Sequence, residues 1–266
     1  MTEQDYPSAE QNRQPIPAWA AFLGRILDGL VFEAPGKPFI KIATAVDIHK
    51  IITAFIIFAM MRAYDNFSTG AWVYLALHGT YGYCWLIKDL GFRDHLLDVK
   101  MSLFGFVMLY VGLIGWYWVI PYLFLSRHIE PSGFDLFFAI SLHTLGVVTM
   151  IAGDCQRHFT LKYRKGLMTG GMYKYTRNPN YLGEIMIYSS YAYLAQHWLA
   201  WAIVLYAIVS TFLPRMYKKD YNLSRHPGWA DYYAQTGLLI PWGLINGRAI
   251  RERIRAARQQ AAGASG

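Results

Sequence analysis

The stretch Lys174-Tyr-Thr-Arg-Asn-Pro-Asn-Tyr-Leu-Gly-Glu184 is the most informative part of the sequence. Its polar side chains stand at the start of an apolar run that continues to Leu194. An ionisable group at membrane depth is costly, so it usually faces a cavity and a ligand. Pro179 suits the first turn of a helix, and the unpaired N–H groups there, with Arg177 beside them, favour an anionic ligand. The alternative is an ordinary helix start with an arginine that reaches the membrane surface. We favour a ligand site.

The composition is typical of a membrane protein. Of the 266 residues, 55% are hydrophobic and only 16% are charged, whereas soluble domains carry about 25% charged residues. The net charge of +8 comes from basic residues clustered between apolar runs, as in membrane-flanking loops, and not from a stripe that would bind nucleic acid. Cys84 lies in an apolar segment and Cys155 beside a basic loop, so neither a disulfide nor a metal site is expected.

Six apolar runs approach the length of about 20 residues that a helix needs to cross a bilayer. They are Ile48–Tyr64, Ala71–Ile87, Met101–Leu125, Phe134–Gly153, Tyr181–Gln196 and Trp198–Pro214. A further segment, Ile16–Phe32, contains Arg25 and Asp28; we expect an interfacial amphipathic helix there, with a seventh span as the alternative. The expected fold is an all-α, polytopic membrane helical bundle with six or seven transmembrane helices.

The loop charges indicate an orientation. With six spans, every loop rich in lysine and arginine falls on one side of the membrane, while the other loops hold only Arg62 and Arg127. By the positive-inside rule, both termini are then cytoplasmic. The host membrane is a bacterial inner membrane or the endoplasmic reticulum, and the oligomeric state is left open.

Four regions follow from these patterns. Residues 1–45 form a polar tail and the interfacial helix, and residues 46–153 a four-helix membrane part with a cavity for a lipid substrate. Residues 154–245 form a cofactor-binding part with a helical hairpin, and residues 246–266 a basic, disordered tail. The strong chemical signals lie after Asp154.

A basic loop is expected after the fourth span, between Asp154 and Gly171. Arg164 and Lys165 supply cationic donors there, and the neighbouring glycines allow a ligand to approach the backbone, which suits a phosphate group. Anionic lipid headgroups are the alternative ligand. We favour a phosphorylated ligand, because this loop and the Lys174–Glu184 stretch lie on the same side of the membrane.

Aromatic and basic residues alternate after the last span. Arg225 and His226 precede a turn at Pro227-Gly228, and Trp229 and Tyr232 follow it. These rings could form the wall of a nucleotide pocket, with His226 or Arg225 at its phosphates. The alternative is a belt of aromatic residues at the membrane surface.

The second span is unusually polar, with His78, Tyr81, Tyr83 and Lys88 inside it. Together these side chains could polarise a substrate or supply a proton. Each tyrosine alone is better explained as a buried ring whose hydroxyl bonds a backbone carbonyl. The chain has neither the glycine-rich dinucleotide fingerprint nor a P-loop, so a bound dinucleotide would need a different, membrane-embedded architecture.

The chain resembles the steroid 5α-reductase C-terminal domain family. The resemblance rests on Arg177-Asn-Pro-Asn-Tyr-Leu-Gly-Glu184, on Asp154, Gln156, Arg157 and Arg164-Lys-Gly upstream, and on Trp229-x-x-Tyr-Tyr and Ile240-Pro downstream. It covers roughly Asp154 to Trp242. The superfamily also contains sterol C14- and C7-reductases and isoprenylcysteine carboxyl methyltransferases, and the motif is shared by both chemistries.

The resemblance implies NADPH as the cofactor, because Glu184 stands where the reductases carry an acid and the methyltransferases usually an apolar or aromatic residue. It implies that the cofactor's phosphates, ribose or nicotinamide amide contact Asp154, Arg164, Asn180 and Arg215. It also implies that a substrate's 3-keto oxygen would bond to Tyr83, or to Tyr81 under a shifted alignment.

Two sets of candidate residues result. The catalytic set is Tyr83, Tyr81, His78 and Glu184. The cofactor-binding set is Asp154, Arg164, Lys165, Tyr175, Arg177, Asn178, Asn180, Tyr181, Arg215, His226 and Tyr232. One departure concerns the substrate: steroid 5α-reductases pair the substrate tyrosine with a glutamate from an early helix, and Ile51–Tyr64 contains none. This argues against a 3-keto-steroid.

The predicted function is therefore NADPH-dependent reduction of a carbon–carbon double bond in a steroid, sterol or related membrane lipid. The alternative is a membrane methyltransferase of isoprenylcysteine or phospholipid type that uses S-adenosylmethionine. A third possibility is a sterol-binding membrane protein without catalysis.

Overall fold

Helices make up most of the part of the chain that the computed structural model describes, residues 13–241. In chain order they are α1 (Ala18–Leu27), α2 (Ile42–Ala63), α3 (Thr69–Phe92), α4 (Leu103–Gly112), α5 (Val119–Leu125), α6 (Gly133–Tyr163), α7 (Pro179–Ala195), α8 (Trp198–Ala207), α9 (Leu213–Leu223) and α10 (Trp229–Gln235). The π-helical turns Asp28–Phe32 and Ile208–Phe212 extend α1 and join α8 to α9. The predicted tail, residues 246–266, lies outside the described residues.

A two-stranded antiparallel sheet is a feature that the all-α expectation missed. Strand β1 (Pro38–Lys41) pairs with β2 (Lys100–Ser102), with Ile40 opposite Met101 and Lys41 opposite Lys100. Pro38 stands at the first position of β1, where its missing N–H group interrupts the ladder least. The strands lead directly into α2 and α4, so the pair holds the starts of these two helices together.

Three helices are long and apolar enough to cross a membrane: Ile42–Ala63, Gly133–Tyr163, and Trp198–Leu223, in which α8, the π-helical turn and α9 are continuous. A bent pair, Leu103–Gly112 with Ile114–Leu125, becomes a fourth if it counts as one span. This supports a helical, membrane-embedded fold. The expected count of six spans stays a prediction, because α3 is polar and α7 has 17 residues, a length of roughly 26 Å.

The segment Ile16–Phe32 forms α1 and the π-helical turn after it, which comprise 10 and 5 residues. At 1.5 Å per residue this is roughly 22 Å, less than the thickness of about 30 Å of a bilayer core. Its Trp19 ring packs edge-on against Tyr217 of α9, with 5.9 Å between centroids. The helix therefore lies against the end of the long α8–α9 helix.

Three helices extend further along the chain than the apolar runs predict. The helix α2 begins at Ile42 rather than Ile48, and α8–α9 continues to Leu223, past Pro214. The helix α6 runs to Tyr163, so the first half of the expected basic loop is helical and the proposed boundary at Asp154 falls inside a helix. None of these extensions contains a helix-breaking residue in its interior, since Pro214 stands in the first turn of α9, where proline is tolerated.

The predicted third span is broken at Leu113, between α4 and α5, with a bend of 40°. Side chains bond two of the carbonyl oxygens that the break exposes: Tyr206 donates to Gly112 at 2.6 Å and Trp116 to Val111 at 2.7 Å. Broken helices at membrane depth occur where the irregular backbone is buried in protein or lines a cavity.

The helices α6 and α7 make the most extensive helix–helix contact. Glycines permit it: a Cβ atom added to Gly183 would lie 2.5 Å from the Gly146 oxygen, and one added to Gly153 would lie 3.1 Å from Pro179. The backbones are thus in direct contact at both levels. This contact sets the position of the first turns of α7, which carry the polar motif.

Candidate functional site

A cavity of about 610 Å³ lies between the ends of the helices, within the range of about 300–1,000 Å³ of small-molecule sites. It receives side chains from α1, α2 and α3, from the break between α4 and α5, and from α6, α7 and α9. The cavity therefore joins the N-terminal helices to the C-terminal motif.

The cavity wall has two chemical parts. Apolar side chains come mainly from α1, α2 and the α4–α5 break: Leu27, Phe32, Ile42, Val46, Leu109, Leu113 and Ile114. Charged and amide side chains come mainly from α6, α7 and α9: Asp154, Arg157, Arg177, Asn180, Glu184, Arg215, Lys218, Lys219 and Asn222. A phosphorylated ligand could bind the charged part of the wall, and an apolar ligand could bind the apolar part beside it.

Three residues of the predicted motif line the cavity from the first turns of α7: Asn180, Tyr181 and Glu184. Asn180 is 8% exposed, and its Oδ1 has no hydrogen-bond partner among the described residues. A buried amide oxygen without a partner is costly, so this atom is suited to accept a bond from a ligand. Glu184 forms no ion pair within 4 Å in the described part of the chain.

Arg177 is predicted to contact the ligand, but its hydrogen bonds in the structure are to other protein groups. Its Nε donates to the Asp220 carboxylate at 2.9 Å, with side chains 5% and 2% exposed. Its Nη1 donates to the carbonyl oxygens of Thr236 and Tyr233. Arg177 also borders the cavity, but its main role in the structure is to join the start of α7 to α9 and to the chain after α10.

Two further hydrogen bonds stabilise the region where the segment before α7 meets α10 and the chain after it, which we call the joint. Asn178 is fully buried and its Nδ2 donates to the Leu238 carbonyl oxygen at 2.9 Å, so Asn178 does not line the cavity. Tyr232 does line it, and its hydroxyl donates to the Tyr173 carbonyl oxygen at 2.9 Å. Burial raises the pKa of both the Tyr173 and the Tyr232 phenol, so Tyr232 keeps the proton that this bond requires.

The end of α6 contributes two charged residues. Asp154 pairs with Lys88 of α3 at 3.0 Å, and Arg157 pairs with Asp94 at 2.7 Å. Between them, Gln156 holds the next turn of chain: its Nε2 donates to the Gly170 oxygen and its Oε1 accepts from the Met172 amide, both at 2.8 Å. These bonds fix the segment that leads to the motif.

The helix α9 supplies cations on the facing wall. Arg215 makes no ion pair among the described residues, and Lys219 donates to the Arg177 carbonyl oxygen at 2.6 Å. Lys218 pairs with Asp28 at 3.1 Å near the surface. Among the described residues, Arg215 and Lys219 are thus cavity-lining cations with no carboxylate within 4 Å, and their N–H groups can donate to a phosphate.

Lys50 is the most important residue that the sequence reasoning missed. It falls in the first apolar run, Ile48–Tyr64, without an assigned role, whereas in the structure it lies inside α2, lines the cavity and is 7% exposed. Its Nζ donates to the Tyr188 hydroxyl at 3.1 Å. The absence of glycine and proline from 42–50, with Ile42, Val46 and His49 at helical spacing, was the signal that could have revealed it.

The predicted residues separate into two groups. Those that line the cavity are Glu184, Asp154, Arg177, Asn180, Tyr181, Arg215 and Tyr232. Those that the structure does not bring to it are Arg164, Lys165, Tyr175, Asn178, His226, His78, Tyr81 and Tyr83. Among the described residues no cluster of histidine, cysteine and acidic side chains could hold a metal ion.

The residues outside the cavity have other surroundings. Arg164 and Lys165 are exposed on the segment after α6, and Tyr83 is 44% exposed. His78 is buried and stacks on Tyr191, with 4.2 Å between centroids. Tyr81 is fully buried directly behind the cavity wall, where its ring centroid lies 4.1 Å from Lys50 Nζ.

Comparisons with known proteins point to the same superfamily. Residues 91–217 match a family described as "Protein of unknown function (DUF1295)", which lies in the steroid 5α-reductase and isoprenylcysteine methyltransferase superfamily. A stretch of 59 residues, 20% of this chain, is 36% identical to an uncharacterized protein of Schizosaccharomyces pombe. It covers 22% of that relative, so the chain spans about a fifth of its length. No solved structure matches. The superfamily expected from the motif is supported, without a choice among its families.

Proposed function

We propose that the chain is a membrane-embedded oxidoreductase that reduces a carbon–carbon double bond in a lipid with NADPH. The observation that carries the proposal is one cavity lined by charged and amide side chains from α6, α7 and α9, with the cations Arg215 and Lys219 on α9, and by apolar side chains from α1, α2 and the α4–α5 break. A nucleotide phosphate fits the first wall and a lipid fits the second, so both reactants could meet in one space.

The residues present fit the cofactor. Arg215 and Lys219 supply cations without carboxylate partners, and Asn180 Oδ1 is a buried acceptor without a partner among the described residues. In the proposed complex the two cations bind phosphate, and Asn180 accepts a bond from a ribose hydroxyl or from the nicotinamide amide. When bound, NADPH supplies the hydride for one carbon of the double bond.

The other carbon needs a proton, and we assign this role to Tyr188. Its hydroxyl accepts a hydrogen bond from Lys50 Nζ at 3.1 Å, so its own proton remains available to a substrate in the cavity. Lys50 can return a proton through the same bond after the transfer. Tyr188 thereby replaces the predicted Tyr81, Tyr83 and His78, since none of these three lines the cavity.

An S-adenosylmethionine-dependent methyltransferase remains the second candidate, because the superfamily contains both chemistries. The charges of the cavity favour NADPH: seven lysine and arginine side chains and four acidic ones line it. An excess of cations stabilises the phosphates of NADPH and opposes the sulfonium of S-adenosylmethionine.

Nucleotide binding to the purified protein in detergent tests the proposal. The wild type should bind NADPH and not S-adenosylmethionine, and Arg215→Ala should weaken NADPH binding by about tenfold or more, which is the loss of about 1.4 kcal/mol expected when a charged hydrogen bond to phosphate is removed. Arg62→Ala, which removes an exposed arginine at the other end of α2, is the matched control and should leave binding unchanged. Binding of S-adenosylmethionine alone would refute the reductase assignment.

A further inference from the structure

Lys50 is held at the cavity wall by a close helix contact. A Cβ atom added to Gly82 of α3 would lie 2.6 Å from the Lys50 carbonyl oxygen, so the glycine allows α2 and α3 to touch at this level. The Lys50 ammonium then lies 4.1 Å from the ring centroid of Tyr81 and 5.2 Å from that of Trp85. Aromatic faces stabilise a cation, but they do not neutralise it.

Among the described residues, Lys50 is one of three cavity-lining cations that form no ion pair within 4 Å. Among the lining cations, Lys88, Arg157, Arg177 and Lys218 each pair with an aspartate within 4 Å. The remaining three are Lys50, Arg215 and Lys219. Arg215 and Lys219 lie on α9 in the cationic wall, whereas Lys50 lies on α2 beside the apolar wall. A buried ammonium with no carboxylate within 4 Å is only partly compensated by the more distant Glu184, so its position in a ligand cavity indicates an anionic ligand group.

We propose that the lipid substrate carries a carboxylate, which binds to Lys50 Nζ, with its hydrocarbon part along Ile42, Val46 and Leu109. The proposal rests on the proposed function for the reaction that follows, whereas the binding itself needs no nucleotide. An ammonium has three N–H donors, so Lys50 can keep its hydrogen bond to Tyr188 and still donate to a carboxylate oxygen.

Glu184 is the competing anion. It lines the same cavity and has no ion pair within 4 Å in the described part of the chain, so its carboxylate opposes that of the substrate. Neutralising it by Glu184→Gln should therefore strengthen carboxylate binding, while neutralising Lys50 should remove the preference for the carboxylate over its ester. The opposite signs of the two effects separate electrostatic recognition from a general loss of structure.

The experiment compares a fluorescent polyene fatty acid, cis-parinaric acid, with its methyl ester. Both are titrated into protein in phosphatidylcholine nanodiscs without nucleotide, at a pH where the acid is ionised, with empty nanodiscs as the blank. We expect the wild type to bind the acid at least about tenfold more tightly than the ester. In Lys50→Met the two affinities should become equal, and Lys50→Arg should retain part of the preference. Lys162→Met, at an exposed lysine outside the cavity, is the control and should behave as wild type.

Equal affinities of the wild type for acid and ester, or an unchanged preference in Lys50→Met, would overturn the proposal. If Lys50→Met does not fold, Glu184→Gln decides: an acid affinity equal to or below that of the wild type contradicts the carboxylate site. Failure to bind NADPH would count against the proposed function alone, because the ratio of acid to ester affinity is measured without the nucleotide.

Discussion

At the scale of single residues, the same side-chain type has different roles that only its surroundings reveal. Arg177 and Arg215 both come from basic, aromatic segments of sequence. In the structure Arg177 is paired with Asp220 and bonded to two carbonyl oxygens, whereas Arg215 has no ion pair among the described residues. Arg177 is therefore primarily a residue of the joint between α7 and α9, and Arg215 is the better candidate for a ligand contact.

This distinction predicts the effect of Arg177→Met on stability. Removing the guanidinium leaves the Asp220 carboxylate buried at 2% exposure without its ion-pair partner, a situation that costs about 3–5 kcal/mol. Thermal unfolding in detergent should show a clear loss of stability, and the double variant Arg177→Met/Asp220→Leu should recover much of it, since the buried carboxylate is then removed together with the guanidinium.

Lys218→Met is the matched control. It removes an ion pair with Asp28 whose side chains are 64% and 38% exposed, and exposed pairs contribute less than about 1 kcal/mol. An Arg177→Met protein that unfolds at the wild-type temperature would show that the Arg177–Asp220 pair does not stabilise the joint.

At the scale of elements, the sequence predicted where the helices lie better than where they end. Each of the six apolar runs is largely helical, although the third begins in β2 and is broken at Leu113, because a long apolar run is a strong signal. The ends were missed at α2, α6 and α9 because charged residues were interpreted as loop residues. In these helices the charged side chains point into a cavity or pair across it, an effect of tertiary structure that a linear pattern does not contain.

The residues of the candidate site were also predictable only where they belong to a local sequence pattern. The motif on α7 was predictable because a proline, two amides and an acid at a helix start form a local pattern. Lys50 was not, because its importance depends on the contact between α2 and α3 at Gly82. Arg164 and Lys165 formed the most evident basic cluster, yet the structure leaves them exposed.

The contact between α6 and α7 predicts the effect of Gly183→Ala. The added methyl group would lie 2.5 Å from both the Gly146 oxygen and the Met150 amide nitrogen. These are backbone atoms, which cannot move away as the end of a flexible side chain can. We expect a loss of about 1–3 kcal/mol or more in stability, and weaker NADPH binding because Asn180 and Glu184 would move with α7.

Gly91→Ala provides the comparison, because the new methyl group meets no atom within 4 Å. Within α3 this change should be neutral or should stabilise the helix by up to about 1 kcal/mol. The two variants are compared by thermal unfolding and by NADPH titration. Equal behaviour of Gly183→Ala and Gly91→Ala would mean that α6 and α7 do not require direct backbone contact.

At the scale of the whole molecule, the helices form a bundle in which the polar residues converge on one cavity. Among the described residues, three helices, or four with the bent pair, are long and apolar enough to cross a membrane, and charged side chains from several helices line the cavity. The break between α4 and α5 contributes to the apolar wall, so even the irregular part of the membrane region faces the proposed substrate.

Transfer of deuterium from NADPH labelled at the reactive nicotinamide carbon tests the proposed reaction most directly. Wild-type protein in nanodiscs is incubated with this cofactor and a membrane lipid extract, and the lipids are analysed by mass spectrometry. We predict a lipid in which one double bond is replaced by a single bond carrying one deuteron from the cofactor and one proton derived from water, and we predict its loss in Arg215→Ala. If no lipid gains deuterium, while a lipid gains a labelled methyl group from S-adenosylmethionine in the parallel reaction, the reductase assignment is contradicted.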